Sequence, residues 1–373
     1  MKTANPFLLS GYISKEYFCD RENETGKILE AIQNNRNITI YSQRRIGKTV
    51  LINHVFHSLK SDKNKVCIYL DVLSSNSFNE FVNVFGNAII NSIETKPEKF
   101  YKKVKELFMS FRPVITIDSL TGLPSFQLTT QSKYEAEKSI EGLFNYLRSQ
   151  KKKIVIAIDE FQQISQYPEN NIEALLRTNI QKLTNTTFIF SGSKKHLLLS
   201  MFEDKNRPFF KSTQLMKLDK IDKNVYSDFI ISSFAKSDKR INKEQTNIIL
   251  EWVNLQTFYV QYICNRIFSK NAKQISESII NETFIEILEE QEIVFINYRN
   301  LLTEYQWRIL RAVASEGIIK SVLSKHFISK YNLNTPSSVK TAVDSLITKD
   351  ILINDISGYY IQDVLFQKWL ERN

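Results

Sequence analysis

The chain has 373 residues, of which 42% are hydrophobic and 24% charged, a composition typical of a globular protein rather than of a disordered or fibrous one. At this length, two or three domains can each bury a core of their own. The formal net charge of +10 favours an anionic partner, and the lack of any run of 18 apolar residues argues against a membrane-spanning helix.

The N-terminal residues and the cysteines indicate the cellular compartment of the protein. The opening stretch MKTANPFLLSGYIS has no apolar run long enough for a secretory signal, so we expect a cytoplasmic protein with no membrane partner. Cys19, Cys67 and Cys264 lie far apart and form no CxxC pair. This spacing argues against a disulfide framework or a zinc site.

Positive charge is concentrated in the first part of the chain. Residues 1–217 hold 31 Lys/Arg and 21 Asp/Glu, whereas residues 218–300 hold 10 and 12. The last segment, 301–373, holds 9 and 7. An anionic ligand or partner is therefore expected on the first part rather than on the last.

Short apolar runs rich in β-branched residues recur in the first half of the chain. They are NITIYS (37–42), KVCIYLD (65–71), KIVIAIDE (153–160) and TTFIFSG (186–192). Because these runs are continuous rather than alternating, they indicate strands buried on both faces of a parallel sheet. Helical patterns accompany them at 48–60, 78–94, 133–150 and 169–184. The alternation predicts an α/β fold.

The pattern changes twice along the chain. Residues 113–130 carry a polar turn between two short strands, which predicts an inserted hairpin in the α/β domain. From about residue 300, three short helices precede two strands around Ser357–Gly358, which is the outline of a winged helix-turn-helix. The predicted domains are an α/β core at 1–217, an all-helical lid at 218–299 and a winged helix at 300–373.

The segment SQRRIGKT, which follows the first strand, has the pattern of a phosphate-binding loop. Such a loop needs a strand, a tight turn and a helix whose N-terminal amides face the anion, and all three occur here in order. We expect Lys48 to reach the β- and γ-phosphates, the Thr49 hydroxyl to ligate Mg²⁺, and Gly47 to let the backbone approach the phosphate. The residues expected to line the nucleotide are Ser42, Gln43, Arg44, Arg45, Ile46, Gly47, Lys48, Thr49 and Val50.

Ser42 departs from the usual GxxxxGK[ST] pattern, because glycine normally stands where the chain leaves the strand. Serine is compatible with the loop if its backbone φ stays below zero. A distorted loop could instead bind a nucleotide without aligning its γ-phosphate. A nucleotide-bound scaffold that does not hydrolyse therefore stays open as an alternative function.

About 110 residues after the loop, the apolar run KIVIAIDEF ends in Asp159 and Glu160. The carboxyl ends of parallel strands are where open α/β sheets bind ligands. We expect Asp159 to hold Mg²⁺ through water and Glu160 to polarise an attacking water. A favourable acidic pair at a helix N-terminus would explain this pair alone, but the loop and the acidic strand together predict a nucleotide site.

Further polar groups carry weaker predictions. Ser191 and Ser193 lie at the end of the last apolar run and could contact the γ-phosphate or the attacking water, although Gly-Ser at a strand end is equally a plain turn. Arg44 and Arg45 could touch phosphate, reach a neighbouring subunit or pair with nearby carboxylates. Arg177 and Arg207 raise the same question, so an oligomer stays open.

With these residues in hand, the chain resembles the ATP-binding proteins of archaea and bacteria grouped with the AAA+ and STAND branch of P-loop ATPases. The similar segments are NPFLLSGYISKEYFCDRENE, RRIGKT, IAIDEFQQI, FIFSGSKKHLLLSMFEDKNRPFF and YIQDVLFQKWLER. The resemblance implies an ATPase core, a helical lid and a winged helix that together act as an ATP-dependent switch. It also implies that adenine is held near Arg21, and that the cofactors are ATP and Mg²⁺.

The C-terminal winged helix leaves the partner open. Its second helix would begin after Thr335, and of its expected exposed residues only Lys340 is basic. A DNA reader normally presents a basic stripe, so DNA is a weakly supported partner and a DNA-binding regulator is an alternative function. An unidentified protein partner explains a domain of this kind equally well.

Overall fold

The computed structural model of the chain describes residues 5–109, 113–119, 122–128, 133–355 and 357–372. Residues 120–121 and 129–130 of the predicted hairpin, and residues 1–4 and 373 of the predicted domains, lie outside these ranges. The chain divides into two compact units, Leu8–Val225 and Met1–Phe7 with Tyr226–Asn373. The second unit combines the regions predicted as lid and winged helix, and the three-domain description stays a prediction.

Strands and helices alternate in the first unit. In chain order they are α1 (Glu22–Gln33), β1 (Ile38–Tyr41), α2 (Lys48–Leu59), β2 (Lys65–Asp71), α3 (Phe78–Ile93), α4 (Pro97–Phe108), β3 (Val114–Ile117), β4 (Pro124–Gln127), α5 (Lys133–Arg148), β5 (Lys153–Asp159), α6 (Ile172–Gln181), β6 (Thr186–Gly192), α7 (Lys195–Glu203) and β7 (Gln214–Lys217). Short 3-10 helices lie at Lys15–Tyr17 and Phe161–Gln166.

Among the described residues, five strands form one parallel sheet in the order β2-β5-β6-β1-β7. The strand β5 shows why the apolar runs are continuous. Ile154 and Ile156 belong to one hydrophobic core, whereas Val155 and Ala157 belong to a second core that includes α1 and α2. Since successive side chains point to opposite faces, both faces of this strand are buried. The predicted α/β fold with a parallel sheet is confirmed.

The hairpin of β3 and β4 is attached to α3 by asparagine side chains. The strands pair antiparallel, with Ile115 opposite Phe126. Asn87 donates to the Phe126 carbonyl at 2.8 Å and accepts from its amide at 2.9 Å. Asn83 makes the same pair of bonds to Leu128. The side chains of Asn83 and Asn87 lie four residues apart on one face of α3. They therefore form hydrogen bonds with backbone groups in and just after β4, as a neighbouring strand would.

The second unit is helical except for one hairpin. After α8 (Lys223–Ala235), within which the two units divide, come α9 (Lys243–Trp252), α10 (Thr257–Ser269), α11 (Glu277–Asn300), α12 (Glu304–Glu316), α13 (Lys325–Lys330), α14 (Pro336–Thr348), β8 (Leu352–Asp355), β9 (Gly358–Ile361) and α15 (Val364–Arg372). The strands β8 and β9 pair antiparallel and form the predicted wing. No helix in the described part of the chain is both long enough and apolar enough to span a bilayer.

Candidate nucleotide-binding site

The predicted phosphate loop connects β1 to α2 with a sharp turn. Gly47 has φ 102° and precedes the first residue of α2, Lys48. Arg45 also lies in the left-handed region, with φ 67°. Ser42 is not among the described residues with positive φ, so the condition that makes serine acceptable at this position is met. The left-handed turn needed to reach the helix occurs three residues later.

The buried Lys48 ammonium is held inside the loop. Its Nζ donates to Ser42 Oγ at 3.2 Å and to the Gln43 carbonyl at 3.3 Å. Burial lowers the pKa of Lys48, while the charges of Glu160 and Asp159 oppose that effect. The ammonium is therefore held by neutral groups of the loop, and a bound phosphate group would supply the negative charge that offsets the burial of its own charge.

Asp159 connects the loop to the neighbouring strands. Its Oδ2 accepts from Thr49 Oγ1 at 2.6 Å and from the Tyr69 hydroxyl at 3.0 Å. Its Oδ1 accepts from Ser191 Oγ at 2.5 Å and from the Glu160 amide at 3.0 Å. A carboxylate has about four acceptor positions, so these four hydrogen bonds fill them and fix the orientation of Asp159. Residues from β2, β5, β6 and α2 meet here at the carboxyl edge of the sheet.

Glu160 is the residue after Asp159, and its backbone lies in the left-handed region with φ 53°. Its Oε2 accepts from Gln162 Nε2 at 2.6 Å, from the Ser193 amide at 3.0 Å and from Ser193 Oγ at 2.9 Å. The sequence predicted that Ser191 and Ser193 contact the nucleotide or the attacking water. In the structure Ser191 is fully buried against Asp159, so its contact with a nucleotide stays a prediction.

The other loop residues and Arg21 differ in how deeply they are buried. Arg44 and Arg45 are exposed, Gln43 and Val50 are half-buried, and Ile46 is part of the core beneath the loop. Arg21 is buried, with Nη1 bonded to Glu24 at 3.0 Å and a buried Nη2 for which the structure shows no partner. The structure does not bring Arg21 into hydrogen-bond contact with the loop residues.

Two of the four arginines considered for a neighbouring subunit, Arg177 and Arg207, have partners within the chain. Arg207 forms an ion pair with Glu173 and donates to Ser200 at 3.2 Å. Arg177 is half-buried and lies beside the amide of Gln181, on the same helix α6. Their role towards a second subunit stays a prediction.

Two site residues were missed by the sequence reasoning. Tyr69 lies in β2, and burial together with the charge of Asp159 raises the pKa of its hydroxyl, which therefore stays a proton donor. Gln162 lies two residues after Glu160 and is 1% exposed. A tyrosine beside the acidic strand and a glutamine after an acidic pair have no sequence signal of their own, because their role depends on strand pairing and on the backbone of Glu160.

The oxygen groups at the start of α2 fit a magnesium ion. Mg²⁺ prefers oxygen ligands and usually keeps several water molecules and phosphate oxygens. Thr49 Oγ1 could supply one protein oxygen, and the Asp159 carboxylate beside it could take part once one of its four hydrogen-bond donors is released. Among the described residues, no group of three or more His, Cys, Asp or Glu could hold a metal by itself. An ion here would therefore depend on the phosphates of a nucleotide.

Comparisons with solved structures find the same fold along nearly the whole chain. A Walker-type ATPase of Pyrococcus abyssi superposes with a TM-score of 0.67 at 16% identity, covering 98% of this chain and 99% of that one. The ORC2 protein of Aeropyrum pernix, solved with ADPNP and ADP, gives a TM-score of 0.56 at 12% identity and covers 94% and 93%. At these identities, the similarity shows the fold alone. A search of curated proteins finds no match.

Two family descriptions match the sequence. Residues 293–372 match a family described as a probable winged helix domain, in agreement with the predicted C-terminal winged helix. Residues 18–255, which include the loop, the acidic strand and β6, match a family described as an ATPase domain predominantly from Archaea. This second match covers more than half of the chain. The chain therefore belongs to that predominantly archaeal family of ATPases.

Proposed function

We propose that the chain binds Mg-ATP at the carboxyl edge of its sheet and hydrolyses it to ADP and phosphate. The observation that supports this most is the 2.6 Å hydrogen bond between Thr49 and Asp159, residues 110 positions apart. It places the N-terminus of α2 beside the acidic end of β5. A phosphate-binding loop beside an acidic strand end is the arrangement that nucleotide hydrolysis needs.

Each residue has a role that follows from its chemistry. The amides at the start of α2 and the Lys48 ammonium neutralise phosphate charge. Thr49 and Asp159 would hold Mg²⁺, which when bound spreads the charge of the β- and γ-phosphates. Glu160 orients a water whose oxygen bonds to the γ-phosphorus while the bond to the β–γ bridging oxygen breaks. The proton released by the water is taken up by the carboxylate or by phosphate.

The first test is nucleotide binding by calorimetry. Lys48→Ala removes a buried charge-assisted donor, so ATP affinity should fall about 100-fold. Lys60→Ala is a matched control, because Lys60 is an exposed lysine at the other end of α2. The ATP affinity of Lys60→Ala should equal that of the wild-type protein. Equal affinity for the wild type, Lys48→Ala and Lys60→Ala would contradict the role of the loop in phosphate binding.

We also propose that nucleotide state changes the second unit, so that the protein acts as a switch. The observation that supports this role is the match of residues 293–372 to a winged helix family. Winged helix domains contact partners in many proteins, so a change in nucleotide state could reach a partner through this domain. Limited proteolysis of residues 226–373 with ADP and with a non-hydrolysable ATP analogue tests the idea. Different cleavage patterns are expected, and identical patterns would contradict a switch.

A further inference from the structure

The carboxylate of Glu160 is anchored through one of its two oxygens. Among the described residues, three hydrogen bonds reach Oε2, one from Gln162 Nε2 at 2.6 Å and two from the amide and hydroxyl of Ser193. A carboxylate oxygen has about two lone-pair positions, so Oε2 has no capacity left for a water molecule. No described residue donates a hydrogen bond to Oε1.

Backbone geometry brings the two anchors to the same oxygen. Glu160 has φ 53°, a conformation uncommon for a residue with a long side chain, and it precedes the 3-10 helix Phe161–Gln166. This tight turn brings Gln162 back towards Glu160. Ser193 arrives from the end of β6, the strand that pairs with β5. The carboxylate is thus held from its own turn and from the adjacent strand.

The buried position of Gln162 leaves its amide oxygen without a hydrogen bond. It is 1% exposed, and its Oε1 is buried with no hydrogen-bond partner in the described structure. A Cβ added to Gly192 would lie 1.9 Å from that oxygen, so the side chain fits only because residue 192 is glycine. A buried amide oxygen without a partner is unfavourable for folding. What the side chain contributes is therefore the bond that its Nε2 donates to Glu160.

The anchored carboxylate is on the side of the phosphate loop. The Glu160 amide donates to Asp159 Oδ1 at 3.0 Å, and Asp159 Oδ2 accepts from Thr49 Oγ1 at 2.6 Å. Thr49 follows Lys48 at the start of α2, so the turn that carries Glu160 is joined to the phosphate loop through Asp159.

We propose that Gln162 and Ser193 are positioning residues that fix Glu160 for hydrolysis, with Oε2 anchored and Oε1 directed to the attacking water. This inference rests on the proposed function. The anchors do not touch the nucleotide, and they act only by limiting the orientations of the glutamate. Loss of an anchor should therefore lower kcat and leave ATP binding unchanged.

The test compares Gln162→Met with Gln163→Met. Methionine keeps the length of glutamine and removes its donor, and Gln163 is a neighbouring glutamine that bonds to the Ser75 carbonyl instead. We expect Gln162→Met to lower kcat about 10- to 100-fold, with ATP affinity and Tm no lower than in the wild-type protein. Gln163→Met should keep the wild-type kcat. A merely structural role would instead lower Tm and leave kcat per folded molecule unchanged.

Ser193→Ala provides a second test if Gln162→Met does not fold, since it removes one hydroxyl from a half-buried position. It should also lower kcat without changing ATP affinity. In a Glu160→Gln background, neither substitution should change the residual rate, because both act through Glu160. A kcat that is unchanged or raised in Gln162→Met and Ser193→Ala overturns the positioning role. If wild type forms no ADP, or if Glu160→Gln is as active as wild type, the proposed function itself fails.

Discussion

Replacing Ser42 with glycine restores the usual first residue of the phosphate loop. We expect this change to lower the thermal stability of the protein without raising its affinity for ATP. Ser42 is 4% exposed and lies outside the left-handed region, so glycine brings no conformational benefit. Its Oγ donates to the Gln43 carbonyl at 2.8 Å and accepts from Lys48 Nζ. Glycine removes both bonds.

The magnitude follows from two terms. Glycine gives the unfolded chain more conformational freedom, which costs about 0.4–1 kcal/mol of stability. Loss of the hydroxyl removes bonds worth about 0.5–1.5 kcal/mol in net terms, since Lys48 keeps the Gln43 carbonyl as a partner. A total near 2 kcal/mol should lower the Tm of a domain of this size by about 4–8 °C.

Thermal unfolding followed by circular dichroism measures this effect. Ser42→Ala is the control, because it loses the hydroxyl and keeps the Cβ that limits the unfolded chain. Its Tm should fall between those of the wild-type protein and Ser42→Gly. A Tm for Ser42→Gly at or above that of the wild type, or a clear gain in its ATP affinity by calorimetry, would refute the reasoning.

The remaining predictions concern stability, measured by denaturant unfolding. Asn87→Ala leaves an amide and a carbonyl of β4 unpaired and should cost about 2–4 kcal/mol, whereas Asn91→Ala loses a single bond to the Pro124 carbonyl and should cost less. Equal costs would contradict the role given to the asparagines. Gly358→Ala should cost at least about 2 kcal/mol, because Gly358 has φ 122° and an added Cβ would lie 2.4 Å from a backbone oxygen. Gly26→Ala, in the open middle of α1, should instead stabilise by about 0.5–1 kcal/mol, and a loss there would contradict the reasoning.

Four of the five strands of the sheet were predicted from continuous apolar runs, and the two hairpins from the turns between their strands. The run at 153–160 predicts β5 because its apolar residues serve two cores, and that requirement is visible in the sequence itself. The strand β7 was missed. It has four residues, QLMK, of which only Met216 is buried, and it exists through its pairing with β1. A strand formed by pairing rather than by burial has little local signal.

The helix α4 was also missed, although its signal is clear. The helix α4 begins at Pro97 and carries its buried residues at Phe100, Val104 and Phe108, a four-residue spacing that the sequence shows plainly. The asparagines of α3 repeat at the same spacing and could have indicated a polar seam.

The centre of the candidate site could be predicted because its chemistry lies in two motifs. The sequence placed Lys48 and Thr49 on the loop and Asp159 and Glu160 on the acidic strand, and the structure brings these groups together. What surrounds them depends on tertiary geometry. Gln162 reaches Glu160 only because the backbone turns at φ 53°, and nothing in the letters DEFQQ indicates that turn.

Hydrolysis at this site is tested most directly by measuring ADP formation from Mg-ATP with the purified wild-type protein and with Glu160→Gln. We expect the wild type to turn over, and Glu160→Gln to bind ATP with wild-type affinity while its kcat falls about 10²- to 10⁴-fold. A wild-type protein that binds ATP and forms no ADP, or a Glu160→Gln protein with wild-type kcat, would contradict hydrolysis at this site.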